Sequence, residues 1–435
     1  MKYTTASTLL FLYLIVFCVI TKSAYAQNSS AAGAFYSSLP NMRHRQFPFS
    51  EQFKIPSIDP LFSQQANYTR HLALCPPTGN PTLFRCFGEV IINNTMQPFI
   101  TNKPAGFGPA EFRKAYTVPG EAMGNPIVAI IDAYDQPHMI SDLQAYSATF
   151  NLPQLPLCKR SIANSAIPCF KKVSQTGTEK YPKSDAGWAL EISLDVETVH
   201  AMCDNCRILL IEATSPTNAN LMKAVDTAVK LGATVLSNSY GGGETFTEKT
   251  YDRHFNHPGI AIFASSGDSG YGVSYPAASQ YVIAVGGTRL NLKKTGSYSS
   301  ESAWSDGGSG CSSFETKPSW QQDTGCKKRT VADVSADADP YSGAAVYDSV
   351  VYHGQKGWFK IGGTSLASPL VAGIFATSVH LANNQQAGTF LYHLTSNHFH
   401  DIKRGRNGYC SPAYLCKANK GYDGPTGLGS PKGVF

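Results

Sequence analysis

Four residues stand where acyl-transfer chemistry would need them: Ser365, Glu191, Asp195 and Asp268. Ser365 lies in Gly362-Gly363-Thr364-Ser365-Leu-Ala-Ser-Pro369, where small residues end a strand or loop and lead straight into an apolar helix. A serine at a helix start has unpaired backbone N–H groups and the positive dipole end beside it, so an oxyanion formed there is stabilised. Pro369 reads as a first-turn proline, where the missing N–H is not needed. A plain N-cap is the ordinary alternative for such a serine. Glu191 and Asp195 are four apart in a predicted helix from Gly187 to Val199, so they share a face. A solvated acidic stripe is the common meaning of that pattern. Here Trp188, Leu190, Ile192, Leu194, Val196 and Val199 run nearly all round, so part of the acidic face is expected to be buried. Burial and a like-charged neighbour both raise a carboxyl pKa, and the two acids would titrate as a pair. Glu191 so placed can serve as general base to Ser365, with Asp195 orienting it. Asp268, in Ser266-Gly267-Asp268 after an apolar run, either shapes a turn or, when protonated, donates to the oxyanion.

A serine nucleophile usually takes its base from histidine. The chain has 11 histidines, but none stands in the H-G-T/S context of subtilisin-like enzymes. His200, His254 and His257 are the interior candidates, each in an ordinary setting. A carboxylate base remains usable where histidine is protonated, so activity at acidic pH is expected.

The elements that must hold these residues are regular from about Gly106. Ile127–Ile131, Ile208–Ile211, Val235–Leu236, Ile260–Phe263 and Val282–Val285 are short continuous apolar runs, the pattern of strands buried on both faces. Helices are predicted from Ser141, as N-cap, to Phe150 and from Asn220 to Leu231. Strands alternating with helices predict an α/β fold with a doubly wound parallel sheet and helices on both faces. Residues 290 to 350, rich in Gly, Ser, Asp and Tyr, read as long loops bordering a site. Residues 27–104 are broken by proline and read as an irregular N-terminal extension or short prosegment ahead of a catalytic region at 105–435.

The compartment is read from the start of the chain. Lys2, an apolar run from Leu9 to Ile20 and Ala24-Tyr25-Ala26 compose a signal peptide over 1–26, which predicts a protein secreted to the extracellular space or periplasm. Ten cysteines fall in five local pairs, Cys75/Cys86, Cys158/Cys169, Cys203/Cys206, Cys311/Cys326 and Cys410/Cys416, which reads as disulfides in an exported chain. Cys203-x-x-Cys206 also fits a redox motif. Of 435 residues, 42% are hydrophobic and 15% charged, which excludes a disordered chain. A net charge of +6 spread over that length does not imply a nucleic-acid partner, and no second long apolar run implies a membrane after signal removal.

Together the segments resemble the sedolisin family, the serine-carboxyl peptidases. The family's E-x-x-x-D is similar to Glu191-Ile-Ser-Leu-Asp195, its S-G-D loop to Ser266-Gly267-Asp268, and its G-T-S-x-x-x-P motif to Gly363–Pro369. Gly106-Phe-Gly-Pro, Ile131-Asp-Ala-Tyr-Asp135, Ser237-Asn-Ser-Tyr-Gly-Gly, Val285-Gly-Gly-Thr and Pro318-Ser-Trp-Gln321 extend the resemblance along the chain. It implies a subtilisin-like fold, a Ser365/Glu191/Asp195 triad, Asp268 in the oxyanion hole, and a secreted, acid-active endopeptidase acting on protein or peptide substrates as a monomer. His400-Asp401-Ile402 and Gly421-Tyr422-Asp423 resemble the family's structural Ca2+ site, implying carboxylates from Asp401 and Asp423 and main-chain oxygens from Ile402, Asn419 and Gly421. Two alternatives stay open: an ordinary subtilisin-like protease with Asp132 as acid and His200 as base, and an inactive calcium-stabilised binding module.

Overall fold

Continuous apolar runs fix the centre of the molecule. In the computed structural model, which describes residues 70–435 apart from 78, 81, 119–121, 123 and 434, they form parallel strands of one sheet. Phe170–Ser174, Arg207–Ala213, Ile127–Ala133, Val235–Asn238, Ala261–Ser265 and Ile283–Leu292 lie side by side in that order. Val334–Asp337 continues the parallel set beyond Ile283–Leu292, whose other end pairs with the antiparallel Tyr298–Ala303. The sheet grows outward from Ile127–Ala133 in both directions, so the winding reverses between it and Val235–Asn238. Sites form at such reversals, beyond the carboxyl ends of the strands.

Two helices carry the candidate acids and the serine. Ala186–Met202 is capped by Asp185, whose Oδ1 accepts from Trp188 N at 3.2 Å, and it is buried from Gly187 to Met202. The acidic face is therefore internal. Of its third acid, Glu197, one oxygen takes the Tyr347 N–H at 3.0 Å, a structural duty that ties the helix to the strand Ala344–Tyr352. The second helix, Thr364–Ser378, starts directly after the strand Gln355–Gly362. Pro369 is its sixth residue, inside the helix and not in the first turn as its sequence context implied. The missing N–H leaves the Ser365 carbonyl without its helical donor, and Ser239 Oγ donates to it instead at 3.4 Å.

Other differences from the sequence reading have local causes. The first helix on the sheet begins at Met139, and Ser141 Oγ bonds back to the His138 carbonyl at 2.7 Å inside it instead of capping it. Residues 290–350 are largely strands, among them Tyr298–Ala303, Gly310–Thr316, Lys328–Val331, Val334–Asp337 and Ala344–Tyr352. Their Ser- and Asp-rich faces hide the alternation on which a strand prediction depends.

Residues 1–69, which hold the signal-peptide segment and most of the predicted extension, lie outside the described residues. The described residues from Arg70 onward belong to one unit, so the last part of the 27–104 segment is built into it. There Arg70–Ala73 pairs with Glu89–Ile92, which pairs with Gln355–Gly362. The five cysteine pairs are all disulfides, Cys203–Cys206 included. No helix among the described residues is long and apolar enough to cross a membrane.

Candidate active site

The strand ends and the two helices bring Ser365, Glu191, Asp195 and Asp268 into one buried cluster. Asn238 fixes the floor. Its Nδ2 donates to the Phe263 carbonyl at 2.9 Å while its Oδ1 accepts from Tyr240 OH at 2.8 Å. Ser239, next in the chain, is held with its carbonyl facing the serine, and Ser365 Oγ donates to it at 3.1 Å. Ser237 Oγ meets Ser368 Oγ at 2.9 Å, and Ser265 Oγ donates to the Thr364 carbonyl at 2.8 Å, locking the helix start to the sheet.

Glu191, Asp195 and Ser365 are each 0% exposed. Burial, then the charge of Asp195, pushes the Glu191 carboxyl well above the carboxylate range. The Ser365 hydroxyl is close enough to draw it partly back, yet its proton points at the Ser239 carbonyl, and neither Glu191 oxygen has a hydrogen-bond partner in the protein. Asp195 is raised by burial, with the Ser239 hydroxyl opposing. A third member, Asp132, closes the row. It ends the Ile127–Ala133 strand region, is fully buried with both oxygens unpartnered, and is raised by burial and then by Asp195 and Glu191. In sequence Asp132 stands only as the acid of a histidine mechanism; its place near the end of the first buried strand is the signal for its part in the cluster. Within such a set the first proton lost ionises one carboxyl, with the Ser365 hydroxyl favouring the charge on Glu191 and the Ser239 hydroxyl favouring it on Asp195.

Asp268 faces the serine from the other side. Its Oδ1 takes Thr364 N at 2.9 Å and Thr364 Oγ1 at 2.6 Å, while Oδ2 is buried and unpartnered. Burial and then the Glu89 charge hold it well above its ordinary value, so it keeps a proton to donate. Gly363, at φ +92°, turns the chain between strand and helix; a Cβ there would strike the Phe87 carbonyl oxygen and lie 2.7 Å from Asp268 Oδ2. Ser365 N donates to that same Phe87 oxygen at 3.4 Å. The Ser365 N–H is thus aimed at one carbonyl oxygen, and the space at Gly363 is bordered by that oxygen on one side and by the free Asp268 Oδ2 on the other, the donor groups an oxyanion hole requires.

Among the described residues, no imidazole is hydrogen-bonded to the serine. His200 Nε2 lies 3.0 Å from the Pro153 carbonyl, and burial lowers its pKa to about 4. The hydrogen bonds of Ser365 Oγ run to Ser239 O and Phe87 N. In the tail, Asp401 Oδ1 accepts from Gly421 N at 2.9 Å and Asp423 Oδ2 from Asn419 N at 2.8 Å, so the two loops are drawn together around two carboxylates. No group of three or more metal-binding side chains occurs among the described residues. A cation there would therefore rely on those two acids and on main-chain oxygens, a hard-donor set that suits calcium.

A family model described as the subtilase family matches residues 186–402. Kumamolisin from Bacillus sp. (strain MN-32) is 30% identical, over 76% of this chain and 63% of that protein. Sedolisin from Pseudomonas sp. (strain 101) is 30% identical, over 75% of this chain and 60% of that protein. The chain thus spans about three fifths of the length of these curated relatives. A solved structure of Pseudomonas sedolisin (serine-carboxyl proteinase), complexed with two molecules of pseudo-iodotyrostatin, superposes with a TM-score of 0.62 at 28% identity, covering 76% of this chain and 96% of that one.

Proposed function

The chain belongs to the sedolisin family of serine-carboxyl peptidases, and from that premise we propose that it is a secreted, acid-active endopeptidase. The observation that carries this reading is the Ser365 N–H aimed at a carbonyl oxygen, with Asp268 Oδ2 buried and unpartnered beside Gly363 and Glu191 beside the same serine. Ser365 Oγ attacks the peptide carbonyl carbon while ionised Glu191 takes its proton, oriented and assisted by Asp195. The Ser365 N–H and protonated Asp268 hold the tetrahedral oxyanion. Glu191 passes the proton to the leaving amine, and water then frees the acyl group by the reverse sequence of proton transfers. Protein or peptide chains are the substrates. Export through the 1–26 segment and a monomeric state belong to the same proposal.

The test is hydrolysis of a denatured protein at acidic pH by the wild type, Ser365→Ala and Glu191→Gln. Either substitution is expected to lower kcat by at least about 10³-fold. Full activity in either variant would overturn the assignment. For the tail, Asp401 and Asp423 would hold Ca2+ through their carboxylates, with main-chain oxygens of Ile402, Asn419 and Gly421 completing the shell. The ion's role there is structural. Chelation is expected to lower Tm, and an unchanged melt on chelation would remove calcium from the account.

A further inference from the structure

The loop that follows the edge strand Tyr240–Gly243 buries no apolar side chain before Phe255, and Tyr251 is only half-buried. From Glu244 to His254 its two buried residues are acids, Glu248 at 2% and Asp252 at 6% exposure. We infer that this loop is fastened behind the cleft by shared protons, Glu315 bonding to Asp252 and Glu248 to Glu244, so that the edge strand holds its shape for substrate in acid and loosens as pH rises past neutrality. Glu315 and Glu248 are then positioning residues. Their effect on turnover rests on the peptidase reading above; the fastening itself does not.

Four carboxyls from the loop and the strand Gly310–Thr316 meet here. Glu315, on that strand, is 0% exposed, and neither of its oxygens meets an N–H or hydroxyl donor. What it meets is Asp252, within hydrogen-bond reach. Asp252 Oδ1 already accepts from Tyr275 OH at 3.2 Å and Ser279 Oγ at 2.7 Å, so Asp252 is the acceptor and Glu315 carries the proton. Glu248 repeats the arrangement. Its Oε2 accepts from Thr245 N at 2.6 Å, and its Oε1 is buried without such a donor. Within hydrogen-bond reach of it is Glu244, which accepts from Ser313 N at 2.9 Å and from Ser312 Oγ. Two carboxyls attract only through a shared proton; both ionised, they repel. Lys249 favours charge on Asp252 and Glu315, while its Nζ bonds to Thr316 Oγ1 at 3.3 Å. Other cations of these elements turn elsewhere: Arg253 to the Thr250 carbonyl at 3.2 Å, His254 to Asp226 Oδ1 at 2.7 Å and Lys328 to the Phe314 carbonyl at 3.3 Å.

Burial, with the Asp252 charge adding to it, holds Glu315 at about 8. Burial also holds Glu248 at about 8, the Glu244 charge adding and the Thr245 N–H opposing. Released from these contacts, the same carboxyls ionise near the ordinary value of about 4. The fastening is therefore fully present in acid and is lost as pH rises toward the folded values. It reaches the site through Tyr275, whose hydroxyl is tied to Asp252 and whose strand, Ser274–Tyr275, pairs antiparallel with Gly242 and Gly243. Ser239, just before the edge strand, accepts from Ser365 Oγ. Ser274 Oγ lies against Gly267, where a Cβ would come within 2.7 Å of it, and Asp268 is the next residue. A substrate chain added to the Tyr240–Gly243 edge would thus bind against a ribbon backed by protonated acids.

Amide hydrogen exchange in full-length Ser365→Ala, corrected for the intrinsic pH dependence of exchange, reads the fastening without turnover. The reporters are the amides of Glu248, Tyr251 and His254, each bonded within the loop. Their protection is expected to fall at least about 10-fold between about pH 5 and about pH 9. In Ser365→Ala/Glu315→Gln/Glu248→Gln an N–H donor remains at every pH, so protection is expected to stay within about 3-fold over the same range. In the active protein, Glu315→Ala is expected to raise KM for a peptide substrate at least about 5-fold at acidic pH with kcat changed less than about 2-fold. Glu315→Gln is expected to restore KM, with melts verifying that each variant is folded. Loop protection that ignores pH, an equal fall in the glutamine variant, or an unchanged KM in Glu315→Ala would overturn the inference and leave the peptidase reading standing. Absence of turnover in every folded variant, alongside a loop that loosens with pH only when Glu315 and Glu248 are present, would overturn the peptidase reading and uphold the fastening.

Discussion

Glu191 has to be ionised to act as a base, and Asp268 has to be protonated to act as a donor, although burial raises both. Glu89 disfavours charge on both, and each faces a hydroxyl that favours it, Ser365 for Glu191 and Thr364 for Asp268. The proposed division of roles therefore rests on position: Glu191 stands beside the serine within a row of three acids that shares protons, and Asp268 stands across from it. Activity should then rise with pH as the Glu191 set loses its first proton and fall as Asp268 loses its own, a bell-shaped profile. Asp268→Asn keeps an N–H donor at every pH, so its alkaline limb is expected to move upward. Asp268→Ala should lower kcat by about 10²–10³-fold. An alkaline limb unmoved in Asp268→Asn would show that another group sets it. Asp132 is still protonated when the set loses its first proton, so Asp132→Asn is expected to leave the acidic limb within about half a unit of the wild type; a large shift to lower pH would show that Asp132 is charged beside Glu191. Stability should change little, because neither Asp132 oxygen has a protein partner to lose. The legible part of this cluster in sequence was the pair at helical spacing on an apolar helix. Asp132 and Phe87 were not legible in that way, since each reaches the site through contacts between distant segments.

At the scale of elements, the helix that carries the proposed nucleophile shows how a local fault is put to use. Pro369 in its interior would ordinarily cost about 3 kcal/mol relative to alanine. Its cost here frees the Ser365 carbonyl for Ser239 Oγ, the hydroxyl that also faces Asp195. Pro369→Ala is therefore expected to raise Tm or leave it unchanged while lowering kcat several-fold, because the restored N–H would compete with Ser239 for that carbonyl. A variant that gains stability with kcat intact would show that the Ser239 bond has no part in catalysis. The proline was visible in sequence, but its place in the helix was not, because Gly363 at positive φ starts the helix one residue later, at Thr364, within an unbroken run of small residues. The central strands were legible for the opposite reason: buried on both faces, they carry uninterrupted Val, Ile and Leu. The segment Arg70–Ile92 was not, since its prolines and short strands give no period, and it becomes ordered by pairing with Tyr240–Gly243 and Gln355–Gly362, far away in sequence.

Across the whole molecule, the acids outside the site repeat the pattern found within it. Burial raises Glu197, Asp337 and Glu301, pushes Asp348 up to about 8, and holds Glu212 at about 9 even with Lys172 opposing. A fold that stores protonated carboxyls is stable where they stay protonated. The sign follows from linkage. The unfolded chain releases these protons near the ordinary carboxylate pKa of about 4, while the folded chain keeps them until much higher pH. Between those limits the folded state binds more protons, so stability is fully present in acid and is lost as pH rises toward the folded values. For Asp348 the window runs from about 4 to about 8, with a loss on the order of 1.4 kcal/mol per pH unit within it. Thermal melts of Ser365→Ala, which cannot digest itself under the proposed mechanism, are therefore expected to show Tm falling steadily from pH 4 to pH 8. Asp348→Asn should shallow that slope: its Oδ1 still accepts from Val350 N, an interaction of 2.7 Å in the parent, but no proton remains to be lost. A Tm that rises with pH over this range, or an unchanged slope in Asp348→Asn, would mean that the buried acids are ionised in the folded protein, and the acid-adapted character argued for the catalytic cluster would lose its physical basis as well.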